Sequence, residues 1–286
     1  MSPRHRSHPH PHTPATRRPA RRFAVGGLLL LATIATACGD DETSDDAPVT
    51  TAVDSTTGAP DTTDTPDTTG TGADGADGLE AACDAYATIT GGFLAGQADP
   101  AEAPAVLDRF VTNAPAEIAD DAATMRDGFT KLFGGDDTVF GDPAFTAALS
   151  NAGDHLFGAC DSAASAEVSA TDYRFDGMPA QVPAGRFAVR FIDASAAGEA
   201  HELILLRRPD GDTTPVDELV HQPMDALMGT YQMAGVVFAD QPGTANTAFF
   251  ELEPGQYVAI CTIPTMADEA TSHAMAGMTA EFEVTA

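Results

Sequence analysis

Four cysteines supply the most reactive side chains of this 286-residue sequence, at positions 38, 83, 160 and 261. Cys261 ends an alternating apolar run, and His273 and Met278 follow it closely. A thiolate, an imidazole and a thioether are ligands that soft transition metals favour. A buried cysteine without a partner is, alternatively, an inert thiol that fills a hydrophobic core. The residue types around Cys261 therefore leave two interpretations open, a metal thiolate and a structural thiol.

Residues 1–37 are typical of a bacterial export signal. Six arginines precede a short apolar run at residues 23–34, and small residues lead to Cys38. The run is too short to span a bilayer. This end resembles the bacterial lipobox, although Ala35 stands where that motif usually carries Leu. The resemblance implies cleavage before Cys38, a lipid such as palmitate on Cys38, and anchoring at the outer face of the cell membrane. Export by the general or the twin-arginine route stays open.

Acidic residues dominate the sequence, with 43 Asp and Glu against 14 Lys and Arg and a net charge of -29. Such a surface repels nucleic acids and anionic lipid headgroups. It favours solubility, and the alternative is that it steers a basic redox partner protein. We therefore expect no nucleic-acid partner, membrane contact through the lipid anchor only, and a monomer. Residues 38–78 consist almost wholly of Asp, Thr, Gly, Ala, Ser and Pro, which predicts a disordered acidic tether.

Residues 79–162 are predicted to form a helical bundle domain. Apolar residues recur at helical spacing in four segments, near positions 79–93, 106–111, 118–133 and 145–160. Asp99-Pro100 and Asp142-Pro143 have the pattern of an N-cap followed by proline at the first helical position. In an up-down-up-down bundle, the first helix starts where the last one ends. A disulfide between Cys83 and Cys160 is therefore expected, and it leaves Cys261 alone.

Residues 163–286 are predicted to form an all-β sandwich domain. Seven short runs of alternating character are separated by Pro and Gly turns, at 166–170, 187–192, 202–207, 235–239, 247–252, 256–261 and 278–284. Residues 212–234 are less regular, and we expect a short helix there. The fold class is thus α+β in separate domains, a small helical bundle followed by the sandwich.

The C-terminal part of the sequence resembles the cupredoxins, the plastocyanin and azurin family. A Gly-x-Tyr strand, Gly255 to Tyr257, leads to Cys261, then come His273, Met278 and a last alternating strand. The resemblance covers about residues 165–286 and implies a Greek-key sandwich. It also calls for an earlier histidine, which His201 supplies.

The resemblance implies one copper ion of type 1, with a thiolate from Cys261, imidazoles from His201 and His273, and an axial thioether from Met278. The resulting function is single-electron transfer, because such a trigonal site suits both copper oxidation states. The sequence departs from the family between Cys261 and His273, which are separated by the eleven residues 262–272. This insert either folds out as a hairpin or moves His273 away from the metal.

No catalytic residues are expected. Copper enzymes need further histidines, often as His-x-His pairs, whereas the chain after residue 37 has only His155, His201, His221 and His273. No Gly-x-Ser-x-Gly or His-Glu-x-x-His motif is present. The alternative function is a copper-free cupredoxin-like module that binds a protein or a small molecule at the cell surface.

Overall fold

The computed structural model of the chain describes residues 75–286. The predicted export signal, the predicted lipidation site Cys38 and most of the predicted tether, up to residue 74, lie outside the described residues. Within the described range, none of the helices has the length and apolar character needed to cross a membrane. The described helices and strands belong to one compact unit.

Four α-helices open the described part of the chain. They are α1 (Ala76–Ala87), α2 (Ala103–Asn113), α3 (Ala119–Phe133) and α4 (Pro143–Ala159). A π-helical turn, Thr88–Phe93, continues α1, and 3-10 turns at Pro100–Glu102, Ala116–Ile118 and Asp137–Gly141 join the other helices. The Asp142 carboxylate accepts a hydrogen bond from the Ala144 amide at 2.9 Å and so caps α4 as the sequence predicts. The first helix begins within the last residues of the expected tether.

The expected disulfide joins the two ends of this helical region. Cys83 lies in the middle of α1, Cys160 follows directly after α4, and their Cα atoms are 5.8 Å apart. Both side chains are buried in the core of the helical region. The pairing of Cys83 with Cys160 is therefore confirmed, and among the described cysteines Cys261 is the free one.

Nine strands form two sheets that face each other. The first sheet has the order β2–β1–β4–β7 and the second β3–β9–β8–β5–β6. Their bounds are β1 (Ala164–Thr171), β2 (Arg174–Asp176), β3 (Gln181–Pro183), β4 (Gly185–Asp193), β5 (His201–Arg207), β6 (Gln232–Ala239), β7 (Ala245–Leu252), β8 (Gly255–Ile260) and β9 (Thr279–Thr285). The pairs β1–β4 and β3–β9 are parallel and the others antiparallel. The predicted helical region followed by a β-sandwich is confirmed.

Alternation along the strands divides apolar side chains between the sandwich interior and two outer layers. Along β5, Leu203 and Leu205 face the interior, whereas Ile204 and Leu206 pack under short helices that cover the second sheet. These helices are α5 (Val216–Leu219) and α6 (Met224–Thr230), in the segment where the sequence predicts a short helix. Burial on both faces explains why β5 is an almost continuous apolar run.

The four-helix region packs on the outer face of the first sheet. Phe249 of β7 is buried in the helical core, whereas the next residue, Phe250, belongs to the sandwich interior. Gly91 lies so close to β7 that an added Cβ would come within 2.4 Å of the Phe249 carbonyl oxygen. Glycine at this position therefore permits the helical segment to approach the sheet backbone.

Candidate metal centre

Strand register brings the predicted ligands to one end of the second sheet. Ile204 of β5 pairs with Ile260 of β8, and Ile260 pairs with Thr279 of β9. His201 begins β5, Cys261 follows the last residue of β8, and Met278 precedes the first residue of β9. Because the three strands are antiparallel neighbours in this register, residues that are distant in the sequence meet at one end of these strands.

Cys261, His201 and His273 form a buried group in which each offers one donor atom. Sγ of Cys261 lies 3.4 Å from Nδ1 of His273, and Nδ1 of His273 lies 3.1 Å from Nδ1 of His201. The three donor atoms all lie within 4.8 Å of one another. Exposure is 0% for Cys261 and His273 and 1% for His201. The insert therefore leaves His273 beside the thiol.

Met278 lies next to this group in the chain fold. Its amide donates to the His273 carbonyl oxygen at 2.9 Å, and its own carbonyl oxygen accepts from the Cys261 amide at 3.4 Å. The Met278 side chain is fully buried in the same hydrophobic cluster as Cys261. These backbone bonds hold the thioether residue against the two residues expected to share its metal.

The local environment keeps both imidazoles neutral. Burial lowers the pKa of His201 and of His273, and the proximity of His201 lowers the pKa of His273 further. A neutral imidazole has a free nitrogen lone pair, which is the form that binds metals. Two neutral rings with the same nitrogen turned toward each other and toward a sulfur suit a shared cation.

The thiol of Cys261 is protonated at neutral pH in the chain without metal. Burial, followed by the charge of Glu202, raises the pKa of Cys261 to about 12. The Glu202 amide points at Sγ at 3.5 Å and favours a thiolate there. A metal ion would provide the positive charge that the thiolate lacks in this buried place.

Two glutamates that flank His201 in the sequence hold the insert at residues 262–272. Oε1 of Glu202 accepts from the Thr262 amide at 2.9 Å and also from the Thr262 hydroxyl. Oε1 of Glu199 accepts from the Met266 amide at 3.1 Å. Burial raises the pKa of Glu202. The loop from Cys261 to His273 is thus fixed to the same strand end that carries His201.

The insert folds back on itself as a hairpin. Pro264 pairs with Ser272 in an antiparallel bridge, and the Thr265 amide donates to the Thr271 carbonyl oxygen at 2.9 Å. The His273 amide then donates to the Ile263 carbonyl oxygen at 2.9 Å. Of the two arrangements expected for this segment, the structure shows the hairpin.

The donor set fits a single copper ion of type 1. Metal–nitrogen and metal–sulfur bonds of about 2.0–2.3 Å allow one ion to reach three atoms that are this close together. A thiolate, two imidazoles and a methionine nearby are the ligand types of a blue-copper site. Elsewhere, His221 is exposed, its Nδ1 lying 2.6 Å from the Asp217 carbonyl oxygen, and it lies outside this group.

Similarity of the chain to known proteins is found among solved structures, at low sequence identity. No family model matches the chain, and no curated protein matches it. Among solved structures, the chain is similar to an auracyanin from Roseiflexus castenholzii, at 20% identity over 44% of this chain and 100% of that one, with a TM-score of 0.31. It is also similar to auracyanin A from Chloroflexus aurantiacus, described as a blue copper protein. The identity is 18% over 42% of this chain and 98% of that chain, and the TM-score is 0.28. Rusticyanin from Thiobacillus ferrooxidans matches at 16% identity over 44% of this chain and 79% of that chain, with a TM-score of 0.29. These neighbours are cupredoxins.

Three residues around the site could not be identified from the sequence pattern, namely Tyr173, Glu199 and Glu202. Glu199 and Glu202 are each 7% exposed, which is unusual for acidic residues. The positions of Glu199 and Glu202 on either side of His201 are the one sequence feature that indicates a role near the metal. The sequence does not show that these two side chains are buried.

Proposed function

We propose that this protein is an exported, lipid-anchored copper protein that binds one copper ion and transfers single electrons. The observation that carries the proposal is the convergence of the Cys261 sulfur and the two Nδ1 atoms of His201 and His273 in a fully buried group. Copper in such a site alternates between the cuprous and cupric states. The role we assign to the protein is transfer rather than catalysis.

The residues of the chain contribute rigidity and exclusion of water. Cys261 and Met278 are fixed by main-chain hydrogen bonds at the ends of β8 and β9, and His201 by the start of β5. Burial of all three donors keeps water from becoming a further ligand. A ligand set that is held in place before and after electron transfer changes little in geometry, which keeps the barrier to transfer low.

The export signal and the lipobox resemblance at Cys38 support a location on the outer face of the cell membrane. The excess of acidic residues after residue 37 supports a basic protein as redox partner, because opposite charges accelerate encounter. We expect this acceleration to weaken as ionic strength rises, since salt screens exposed charges.

The proposal is tested by adding Cu(II) to the reduced, metal-free chain and recording its visible spectrum. A cupric thiolate should give an intense charge-transfer band at one copper per chain. Cys261→Ser should abolish the band, because an alcohol oxygen does not replace the soft thiolate. His201→Ala and His273→Ala should weaken or reshape it by removing an equatorial donor.

The matched control is His221→Ala, since this exposed histidine lies outside the group. The control should keep the band and the stoichiometry of the unmodified chain. Absence of the band in the unmodified chain, or its persistence in Cys261→Ser, would contradict the proposed function.

A further inference from the structure

The buried side chain of Glu199 connects three separate parts of the chain beside the candidate metal centre. Its Oε2 lies 2.8 Å from Nε2 of His273, at ion-pair distance though without the alignment of a regular hydrogen bond. Its Oε1 accepts from the Tyr173 hydroxyl at 3.2 Å and from the Met266 amide at 3.1 Å. One carboxylate therefore contacts a proposed ligand, the insert and the turn between β1 and β2.

Tyr173 shows that this cluster is held against a local conformational preference. It is the one described residue other than glycine with a positive φ, at 63°. Residues with a Cβ rarely adopt this region, so surrounding contacts must hold the conformation. The Tyr173 ring centroid lies 4.9 Å from that of His273, and the hydroxyl reaches Glu199. The strained turn thus places a half-buried aromatic ring beside the imidazole, tilted by 56° against it.

Glu199 is on the side of His273 opposite to the shared donor group. Nδ1 of His273 faces Cys261 and His201, whereas Nε2 faces the carboxylate. A carboxylate next to Nε2 favours the tautomer with hydrogen on that nitrogen, which leaves the Nδ1 lone pair free. Metal-binding histidines commonly donate their second N–H to a carboxylate in this way, which orients the ring and raises its basicity.

We propose that Glu199 is a positioning residue for His273. It selects the tautomer with a free Nδ1, and through Met266 it fixes the eleven-residue insert so that the ring stays at the end of β5 and β8. This proposal rests on the proposed function as regards the metal, whereas the choice of tautomer is a property of the chain itself. The negative charge of Glu199 also stabilises the cupric state relative to the cuprous state.

The first test uses the full chain without metal, labelled with ¹⁵N, and the variant Glu199→Gln. An amide offers one oxygen where the carboxylate offers two, so it cannot place an oxygen both beside Nε2 of His273 and at the Met266 amide. We expect either the Nδ1–H tautomer of His273 to appear in the ¹⁵N spectrum or the Met266 amide to exchange faster. Glu218→Gln is the control, because it removes the same charge at an exposed position in α5.

The second test measures copper affinity and reduction potential in the same variants. Loss of such a partner typically lowers metal affinity about 10–100-fold. We expect a loss of this size in Glu199→Gln, together with a higher potential, while Glu218→Gln leaves both unchanged. Glu199→Asp keeps the charge, so its potential should lie closer to that of the unmodified chain. If Glu199 had a purely structural role, the reduction potential would not depend on whether the replacement is neutral Gln or charged Asp.

The inference is overturned if Glu199→Gln matches Glu218→Gln in tautomer and in Met266 exchange. It is also overturned if copper affinity and potential are the same in both variants. If the unmodified chain gives no thiolate band with copper, the proposed function fails. The ¹⁵N measurement on metal-free protein still decides in that case whether Glu199 orients His273.

Discussion

The Tyr86 hydroxyl donates a hydrogen bond of 2.9 Å to the main-chain carbonyl oxygen of Thr247, across 161 residues of sequence. Tyr86 is fully buried in α1, and Thr247 lies in β7. The bond joins the helical region to the first sheet, so the two regions should unfold together rather than separately. The Tyr86 ring also packs edge-on against Phe249 of the same strand, with centroids 5.7 Å apart.

Tyr86→Phe should lower the free energy of unfolding by about 1–3 kcal/mol, because it leaves the Thr247 carbonyl oxygen buried without this partner. Chemical denaturation monitored by circular dichroism measures the change. Tyr257→Phe is the control. The Tyr257 hydroxyl donates a hydrogen bond of the same 2.9 Å length to the Glu253 carbonyl oxygen, which is only four residues away in the sequence. A loss no larger in Tyr86→Phe than in Tyr257→Phe would show that the bond does not couple the two regions.

Removal of the disulfide should lower the stability of the chain and leave the candidate copper site intact in the folded state. The bridge between Cys83 and Cys160 closes a loop of 77 residues, and replacing both by Ala should cost about 2–5 kcal/mol of unfolding free energy. The thiolate band expected for Cys261 should persist, because that cysteine is free and lies in the sandwich. If the variant that lacks both Cys83 and Cys160 folds but gives no thiolate band, the copper site depends on the disulfide and this prediction is wrong.

The sequence was sufficient to predict the elements that carry a regular local signal. Seven strands were predicted from alternation, and α4 from its Asp142-Pro143 cap, which the structure confirms. By contrast, β2 and β3 have three residues each, too few for a period of two to be visible. The π-helical turn at Thr88–Phe93 was also missed, since it lies where Gly91 packs on β7 rather than at a sequence motif.

At the candidate site, the sequence order indicated the donors but not their support. His201, Cys261 and His273 were identified because their order resembles that of the cupredoxins. The position of His273 after the insert stayed open, because loop length alone does not say where a loop returns. The carboxylates of Glu199 and Glu202 decide that point, and their burial depends on tertiary contacts that no local pattern reveals.

The lipidation proposed for Cys38 predicts that membrane association depends on this cysteine. Cys38→Ala should release the protein from the membrane fraction or block its processing, and mass spectrometry should show loss of the lipid mass. Cys261→Ser is the matched control, because it removes a thiol without affecting the lipobox. Unchanged membrane association and mass in Cys38→Ala would rule out lipidation at this residue.

Met278 is expected to set the reduction potential without creating the visible band. Met278→Leu keeps an apolar side chain of similar size in the buried cluster, so the fold should be retained. Loss of the axial thioether removes a donor that favours the cupric state, and the potential should therefore rise while the thiolate band remains. Met228→Leu is the control, since Met228 belongs to α6 and packs against the outer cluster, away from the candidate site. Voltammetry of both variants measures the change, and a potential in Met278→Leu that is equal to or lower than the control would exclude Met278 as the axial ligand.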